Sequence, residues 1–187
     1  LNLVWKQSIK LPGQSGSGIS FRIADVRQAE DGSYFVLFGD GDLGLFFGSR
    51  KVYLMKLDVN GNYIWSKVYR PYNPGEFNLT EVKHLEVMDN AVYMVCGNAY
   101  NSFGAMVVLK ANTSDGTLIW KKQYTDNTPL YLNSWAFVNQ GDLFLGGTNS
   151  NGSSRNYILK INTSTGDVVR AVTIANQQSN RIPGFVF

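Results

Sequence analysis

Three stretches of the chain superimpose on one another: KVYLMKLDVNGNYIWSKVY at 51–69, AMVVLKANTSDGTLIWKKQY at 105–124 and NYILKINTSTGDVVRAVTI at 156–174. This repeat constrains the fold more than any other feature, because a unit that recurs in phase along the chain recurs as a unit in space. Each copy is a β-branched or aliphatic run, a polar turn carrying glycine, and a second alternating run, which predicts a β-hairpin. Gly61, Gly116 and Gly166 stand where the turn needs a positive φ, a conformation that penalises any residue with a Cβ. Four residues beyond the first two glycines comes a tryptophan, Trp65 or Trp120, whereas the third copy holds Arg170 in that slot. The chain begins with an unaccompanied copy of the outgoing strand, Leu3-Val4-Trp5-Lys6, so the slots lie 60, 55 and 50 residues apart.

A second module precedes each hairpin: SYFVLFGDG at 33–41, VYMVCGNA at 92–99 and LFLGGTNS at 143–150. Taking Gly39, Gly97 and Gly147 as equivalents puts the marker lysines Lys56, Lys110 and Lys160 at 17, 13 and 13 residues further on. A further short strand is expected within Ile19–Val26, Leu79–Val87 and Leu130–Val138, and no segment has sustained helical periodicity. Each unit therefore holds four strands, and four short strands repeated at this spacing predict an all-β chain of propeller blades. One four-stranded sheet cannot cover both of its faces, but stacked blades bury each face on a neighbour. Tyr34, Val36 and Phe38, with Tyr93 and Val95, are expected to fill the layers between blades.

The whole of 1–187 reads as one propeller segment with antiparallel blades at 19–69, 79–124 and 130–174. Residues 1–10 would supply the outgoing strand of a preceding blade and 182–187 the first strand of a following one. These strands do not close a ring, so the expectation is an open arc or a piece of a larger propeller. The apolar terminal stretch Ile182-Pro183-Gly184-Phe185-Val186-Phe187 points the same way, since chain ends are usually polar and exposed.

Composition narrows the function classes. Apolar residues at 44% supply a core, and aromatics at 13% suit pleated surfaces. The net charge of +3 comes from scattered lysines and arginines, whereas a nucleic-acid footprint needs a concentrated basic face. No apolar run reaches the roughly 18 residues of a membrane-spanning helix. A single cysteine excludes an internal disulfide framework and a cysteine-rich zinc site.

The stretch DGSYFVLFGDG followed by YLMKLDVNGNYIWSKVY resembles the β-propeller repeats of secreted and cell-surface proteins. It is also similar to quinoprotein-like propellers, in which a glycine and a tryptophan four residues later dock one blade onto the next. Gly61/Trp65 and Gly116/Trp120 match that pair and Arg170 departs from it. The resemblance implies a docking role for Trp5, Trp65 and Trp120. It implies binding, tethering or scaffolding for most members, and a quinone cofactor for a minority.

The candidate sites are few. Quinone chemistry would need calcium-binding carboxylates, a catalytic aspartate and an enclosing ring, so neither an enzyme nor a cofactor is expected. Asp58-Val59-Asn60-Gly61-Asn62 offers oxygens at alternate positions as a calcium loop does, but Tyr63 and Tyr69 stand where that loop needs glycine and glutamate, and a hairpin turn is the better reading. His84 and Cys96 are each the sole residue of their type; Cys96 reads as a core residue, and one histidine cannot build a metal site. Sequons at Asn78, Asn112, Asn151 and Asn162 fall on predicted turns or strand ends that N-linked glycans could reach. Leu43, Leu45, Phe46 and Phe47 form an apolar tip on the loop 40–51 and, with Phe185 and Phe187, are the interface candidates.

The function expected from these readings is a non-enzymatic extracellular or cell-surface module, structural or interacting, with protein partners that include further copies of itself. Blade faces, strand edges and the apolar loop would make the contacts, in a glycosylated fibre or coat. The alternative is a ligand- or carbohydrate-binding propeller domain of a larger secreted protein, and the third a fragment of a quinoprotein dehydrogenase.

Overall fold

A computed structural model of the chain describes residues 19–42, 51–70, 80–98, 106–124, 135–149 and 155–175. These residues are all-β and form three four-stranded antiparallel sheets. The first contains β1 (Ile19–Gln28), β2 (Tyr34–Asp42), β3 (Val52–Leu57) and β4 (Tyr63–Tyr69). The second contains β5 (Thr80–Met88), β6 (Ala91–Asn98), β7 (Met106–Asn112) and β8 (Leu118–Tyr124). The third contains β9 (Trp135–Asn139), β10 (Asp142–Asn149), β11 (Arg155–Ile161) and β12 (Val168–Ala175). In each sheet the strands lie in sequence order as a simple meander. The first strands meet across the sheets, β1 against β5 and β5 against β9. A row of meanders whose first strands converge is a propeller-like arrangement, with β1, β5 and β9 innermost.

Local chemistry explains the turns. Gly61, Gly116 and Gly166 take φ values of 79°, 71° and 76° in the hairpins between third and fourth strands. Asp58 and Asn112 close their turns through side-chain oxygens, Asp58 Oδ1 accepting from the amides of Asn60 and Asn62 and Asn112 Oδ1 from that of Ser114. The Asp58 carboxylate is thus engaged by its own turn, as a hairpin requires. Asp89 and Asn90 (φ 49° and 59°), like Gln140 and Gly141 (52° and 80°), make tight two-residue turns of the mirror-image kind that matches strand twist.

The core lies between the sheets. Phe35, Leu37, Val52 and Leu54 of the first sheet pack on Leu85, Val92, Met94 and Cys96 of the second. Tyr93, Val95, Met106 and Val108 on the opposite face of that sheet pack on Leu143, Leu145 and Ile161 of the third. Strand β6 is buried at every position from Ala91 to Gly97, because neighbours cover both of its faces, and it therefore reads as a continuous apolar run instead of an alternation.

One sequence expectation is refined and one is corrected. Tyr93 and Val95 fill the layer between the second and third sheets, while Tyr34, Val36 and Phe38 cluster with Tyr53, Met55 and Leu57 on the far face of the first sheet and Phe35 and Leu37 face the second. In a two-sided sheet both parities are apolar, so hydrophobicity alone does not assign a face. The pairing register also replaces Gly147 as the counterpart of Gly39 and Gly97. Gly39 and Gly97 pair with Val52 and Met106, each four residues before the marker lysine, and that position opposite Asn156 belongs to Thr148.

Candidate functional site

Two seams join the three sheets, and they repeat almost atom for atom. On β4, Trp65 packs edge-on against Phe35, with ring centroids 5.9 Å apart, and on β8 Trp120 lies 6.0 Å from Tyr93. Each tryptophan covers the turn glycine of the next sheet. A Cβ built on Gly116 would lie 2.9 Å from the Trp65 ring and 2.6 Å from Lys67 Cγ, and one on Gly166 would lie 3.2 Å from Trp120 and 2.6 Å from Lys122 Cγ. Tyr69 and Tyr124 donate their hydroxyls to the carbonyls of Gly116 and Gly166, both at 2.7 Å. Lys56 Nζ lies over the Phe35 ring and donates to the Thr113 carbonyl at 3.2 Å; Lys110 Nζ lies over Tyr93 and donates to the Thr163 carbonyl at 2.7 Å. Glycine is required at these turns twice over, by backbone conformation and by the ring above it. Burial raises the pKa of both tyrosines, reinforced by Asp115 and Asp167 respectively, so each phenol stays a donor through neutral pH. Tyr69→Phe and Tyr124→Phe each strand a buried carbonyl and are expected to cost about 1–3 kcal/mol in denaturant unfolding.

The seams differ at the indole nitrogen. Trp120 Nε1 donates to the Thr163 carbonyl at 3.2 Å, whereas Trp65 Nε1 is buried without a partner among the described residues. In the third sheet the slot opposite the marker lysine holds Arg170, which pairs across with Lys160 in the ladder and is exposed. Lys160 turns within its own sheet to Asp142, 2.6 Å away.

The innermost strands carry a charged cluster that the sequence reading did not assemble. Strands β1 and β5 each contain a bulge, the extra residues being Ala24 and Lys83, and each bulge is followed at once by a titratable side chain, Asp25 or His84. A bulge re-aims the side chains beside it. Here it brings His84 Nδ1 to 2.9 Å from Asp25 Oδ2, while His84 Nε2 lies 2.9 Å from Glu86 Oε1. Arg27 lies 3.0 Å from Asp25 Oδ1, 3.8 Å from Glu86 Oε1 and 3.2 Å from His84 Nε2. Asp25 Oδ2 also accepts the Leu85 amide at 3.0 Å, satisfying a donor on the inner edge of the second sheet.

The electrostatics follow from this geometry. Burial alone would lower the imidazole pKa, but hydrogen bonds and charge attraction from Asp25 and Glu86 reverse that and raise it to about 9. For Asp25 burial works upward, and the His84 and Leu85 hydrogen bonds with the charges of His84 and Arg27 bring the carboxyl below its ordinary value. An imidazolium donating from both nitrogens has none free to accept a proton, so His84 in this state is not a general base. Cys96 is fully buried in the first seam, and burial pushes its thiol up, away from the thiolate a nucleophile needs.

The sequence held a signal for this cluster. Asp25-Val26-Arg27 and His84-Leu85-Glu86 are charged pairs at i and i+2, so each pair shares one face of its strand, and the two pairs are complementary. The third sheet breaks the pattern: the place of Arg27 and Glu86 goes to Phe137, which stacks on Phe144 with centroids 4.9 Å apart.

Of the other candidates, Asn112 is half-buried at the end of β7 and Asn162 is exposed in the turn before β12. Trp5, Leu43, Leu45, Phe46, Phe47, Asn78, Asn151, Phe185 and Phe187 lie outside the described residues, as do segments 1–10 and 182–187.

Comparison with known proteins yields distant likeness to solved structures alone. No family model matches the chain, and no curated protein matches it. Among solved structures the chain resembles BamB from Moraxella catarrhalis, with a TM-score of 0.34 and 16% identity over 92% of this chain and 55% of that one. The chain thus spans about half the length of that protein, and a likeness this remote carries no argument about activity.

Proposed function

We propose that the chain is a non-enzymatic protein-interaction module that makes its contacts through the outer strands of its blades. The observation that carries this reading repeats in all three sheets. Each fourth strand bulges next to its turn, and the extra residue is Ile64, Ile119 or Val169. These side chains are 47, 49 and 60% exposed, and the residues before them, Tyr63, Leu118 and Val168, are exposed as well. Singly exposed aliphatics are ordinary, but the same apolar pair at the same place on successive blades forms a spaced series of contact points. A bulge in an edge strand also interrupts continuous strand addition, so the series favours side-chain insertion by a partner over extension of the sheet.

Self-association is the form of this reading to test first. Sedimentation of the chain at increasing concentration is expected to show association, and Ile64→Asp/Ile119→Asp/Val169→Asp is expected to stay monomeric. Its melting temperature should remain close to the parent's, because exposed positions contribute within about 0.5 kcal/mol each. A parent chain that stays monomeric throughout the range would overturn the self-association form. Extracellular placement and N-glycosylation belong to the same proposal. The exposed Asn162, whose side-chain oxygen is held by the amides of Ser164 and Thr165, is the described sequon best placed to carry a glycan. Intact mass before and after glycan removal tests this; an unchanged mass for native secreted material would reject it.

A further inference from the structure

Among the described residues, a charged cluster joins the first two sheets at their inner strands. Asp25 and Arg27 on β1 face His84 and Glu86 on β5. Strands β2, β6 and β9 also pack on β5. Strands β6 and β9 contain no Asp, Glu, Lys, Arg or His; their titratable side chains are Tyr93, in the other seam, and Cys96, buried as a thiol. Strand β2 carries Asp40 and Asp42 at its far end, opposite Phe21 and Ile19 in the ladder, whereas Asp25 is opposite Leu37. With the imidazole protonated, two positive and two negative groups balance. Each carboxylate then has an N–H pointed at it, and Asp25 additionally holds the Leu85 amide.

Loss of one proton unbalances the cluster in a defined way. A neutral imidazole has one N–H and one lone pair. The tautomer that keeps the Nδ1–H on Asp25 turns a lone pair toward Glu86, and the other tautomer turns one toward Asp25. Either way a lone pair faces a carboxylate oxygen at 2.9 Å; in the first tautomer Arg27 Nη2, 3.2 Å from Nε2, can donate to that lone pair and offsets part of the loss. The cluster also gains a net negative charge, which Arg27, at 3.8 Å from Glu86, must serve for both carboxylates.

We propose that Asp25, Arg27, His84 and Glu86 form a proton-dependent clasp between the inner strands of the first two blades, tight while the imidazole is charged and weakened when it loses its proton. The sign follows from linkage. A folded-state pKa raised from the ordinary 6.5 to about 9 means that the clasp contributes fully below pH 6.5 and is lost as pH rises through about 9. The clasp therefore begins to weaken above pH 6.5, keeps most of its contribution at neutral pH and loses the rest through the alkaline range, and it does so at the first seam.

Because His84 is the sole histidine, its imidazole can be followed by NMR in the intact chain without assignment ambiguity. The expected midpoint is near 9, and a midpoint near 6.5 overturns the proposal. Hydrogen exchange read residue by residue then locates the effect. After correction for intrinsic rates, protection at Val26 and Leu85 is expected to fall about tenfold to a hundredfold between pH 7 and 10, while the β9–β10 ladder keeps its protection. Equal loss in all three sheets would overturn a clasp confined to the first seam. His84→Gln is expected to remove the pH step and to show at pH 7 the weaker protection that the parent shows at pH 10; a step retained in this variant also overturns the proposal. Should His84→Gln fail to fold, Glu86→Gln is the second variant. It is expected to lower the His84 midpoint by about one unit, from loss of one carboxylate partner, and an unmoved midpoint counts against the clasp.

Discussion

Gly116→Ala is expected to lower the melting temperature by about 6–12 °C, and Gly166→Ala by a similar amount, in thermal unfolding followed by circular dichroism. Two penalties combine at these turns. A non-glycine residue at φ of 71° or 76° carries about 1–2 kcal/mol of backbone strain. The added methyl also enters a filled space, 2.6 Å from Lys67 Cγ and 2.9 Å from Trp65 at the first seam, and overpacking of that kind costs about 1–3 kcal/mol. The sum is about 3 kcal/mol, and for a chain of this size each kcal/mol moves the midpoint by roughly 2–4 °C. Gly141 separates the two penalties. Its φ is 80° and a Cβ there meets nothing within 4 Å, so Gly141→Ala is expected to show the backbone strain alone, about 1–2 kcal/mol. Equal losses at Gly116 and Gly141 would mean that the tryptophan seam is loosely packed. Lys67→Ala placed on top of Gly116→Ala should recover part of the loss, because the lysine stem can withdraw while the ring, held against Phe35, cannot.

Truncation of either seam tryptophan to alanine is expected to cost about 3–5 kcal/mol in denaturant unfolding, since each ring fills the gap between two sheets. Phenylalanine is the more informative substitution. Trp120→Phe removes the donor to the Thr163 carbonyl, although Lys110 still reaches that oxygen at 2.7 Å. Trp65→Phe removes a buried N–H with no partner among the described residues, and an unsatisfied buried donor is itself unfavourable by about 1–3 kcal/mol. The two variants lose the same ring area in equivalent surroundings. Trp120→Phe is therefore expected to be the more damaging by about 1–2 kcal/mol, and a reversed order would show that the Trp65 donor is satisfied in solution.

Much of the architecture was legible beforehand, because it rests on short-range rules. Alternation with a period of two marks strands, and a glycine in a polar gap marks a turn. The three hairpins and the four strands of each unit follow from those rules, and so does the recurrence that stacks the units. The tryptophan slots were legible for the same reason: Trp65, Trp120 and Arg170 all pair directly opposite a marker lysine. Where reading failed, the missing information was two-sidedness. Strands β2 and β6 are buried on both faces, so an apolar run there is compatible with either parity, and it is Phe35, not Tyr34, that turns toward the next sheet as Tyr93 does. The one-residue slip at Gly147 has a similar origin, since a glycine next to the true position attracts the alignment and only the ladder shows that Thr148 holds it.

The candidate site divides along the same line. Composition showed His84 as a lone histidine, and the local pattern His84-Leu85-Glu86 gives a charged pair on one strand face without saying what meets it. The histidine's partners Asp25 and Arg27 lie 59 and 57 positions away, on a strand that meets β5 only because the two sheets stack. By itself the sequence determined the strands, the turns and the repeat, since those depend on residues within a hairpin of one another. Only the tertiary structure decided which face each strand presents, which turn each tryptophan covers and which charges meet at the inner strands. Those are contacts between sheets, and the energy that selects them comes from packing and charge balance across distances in the chain that no local pattern encodes.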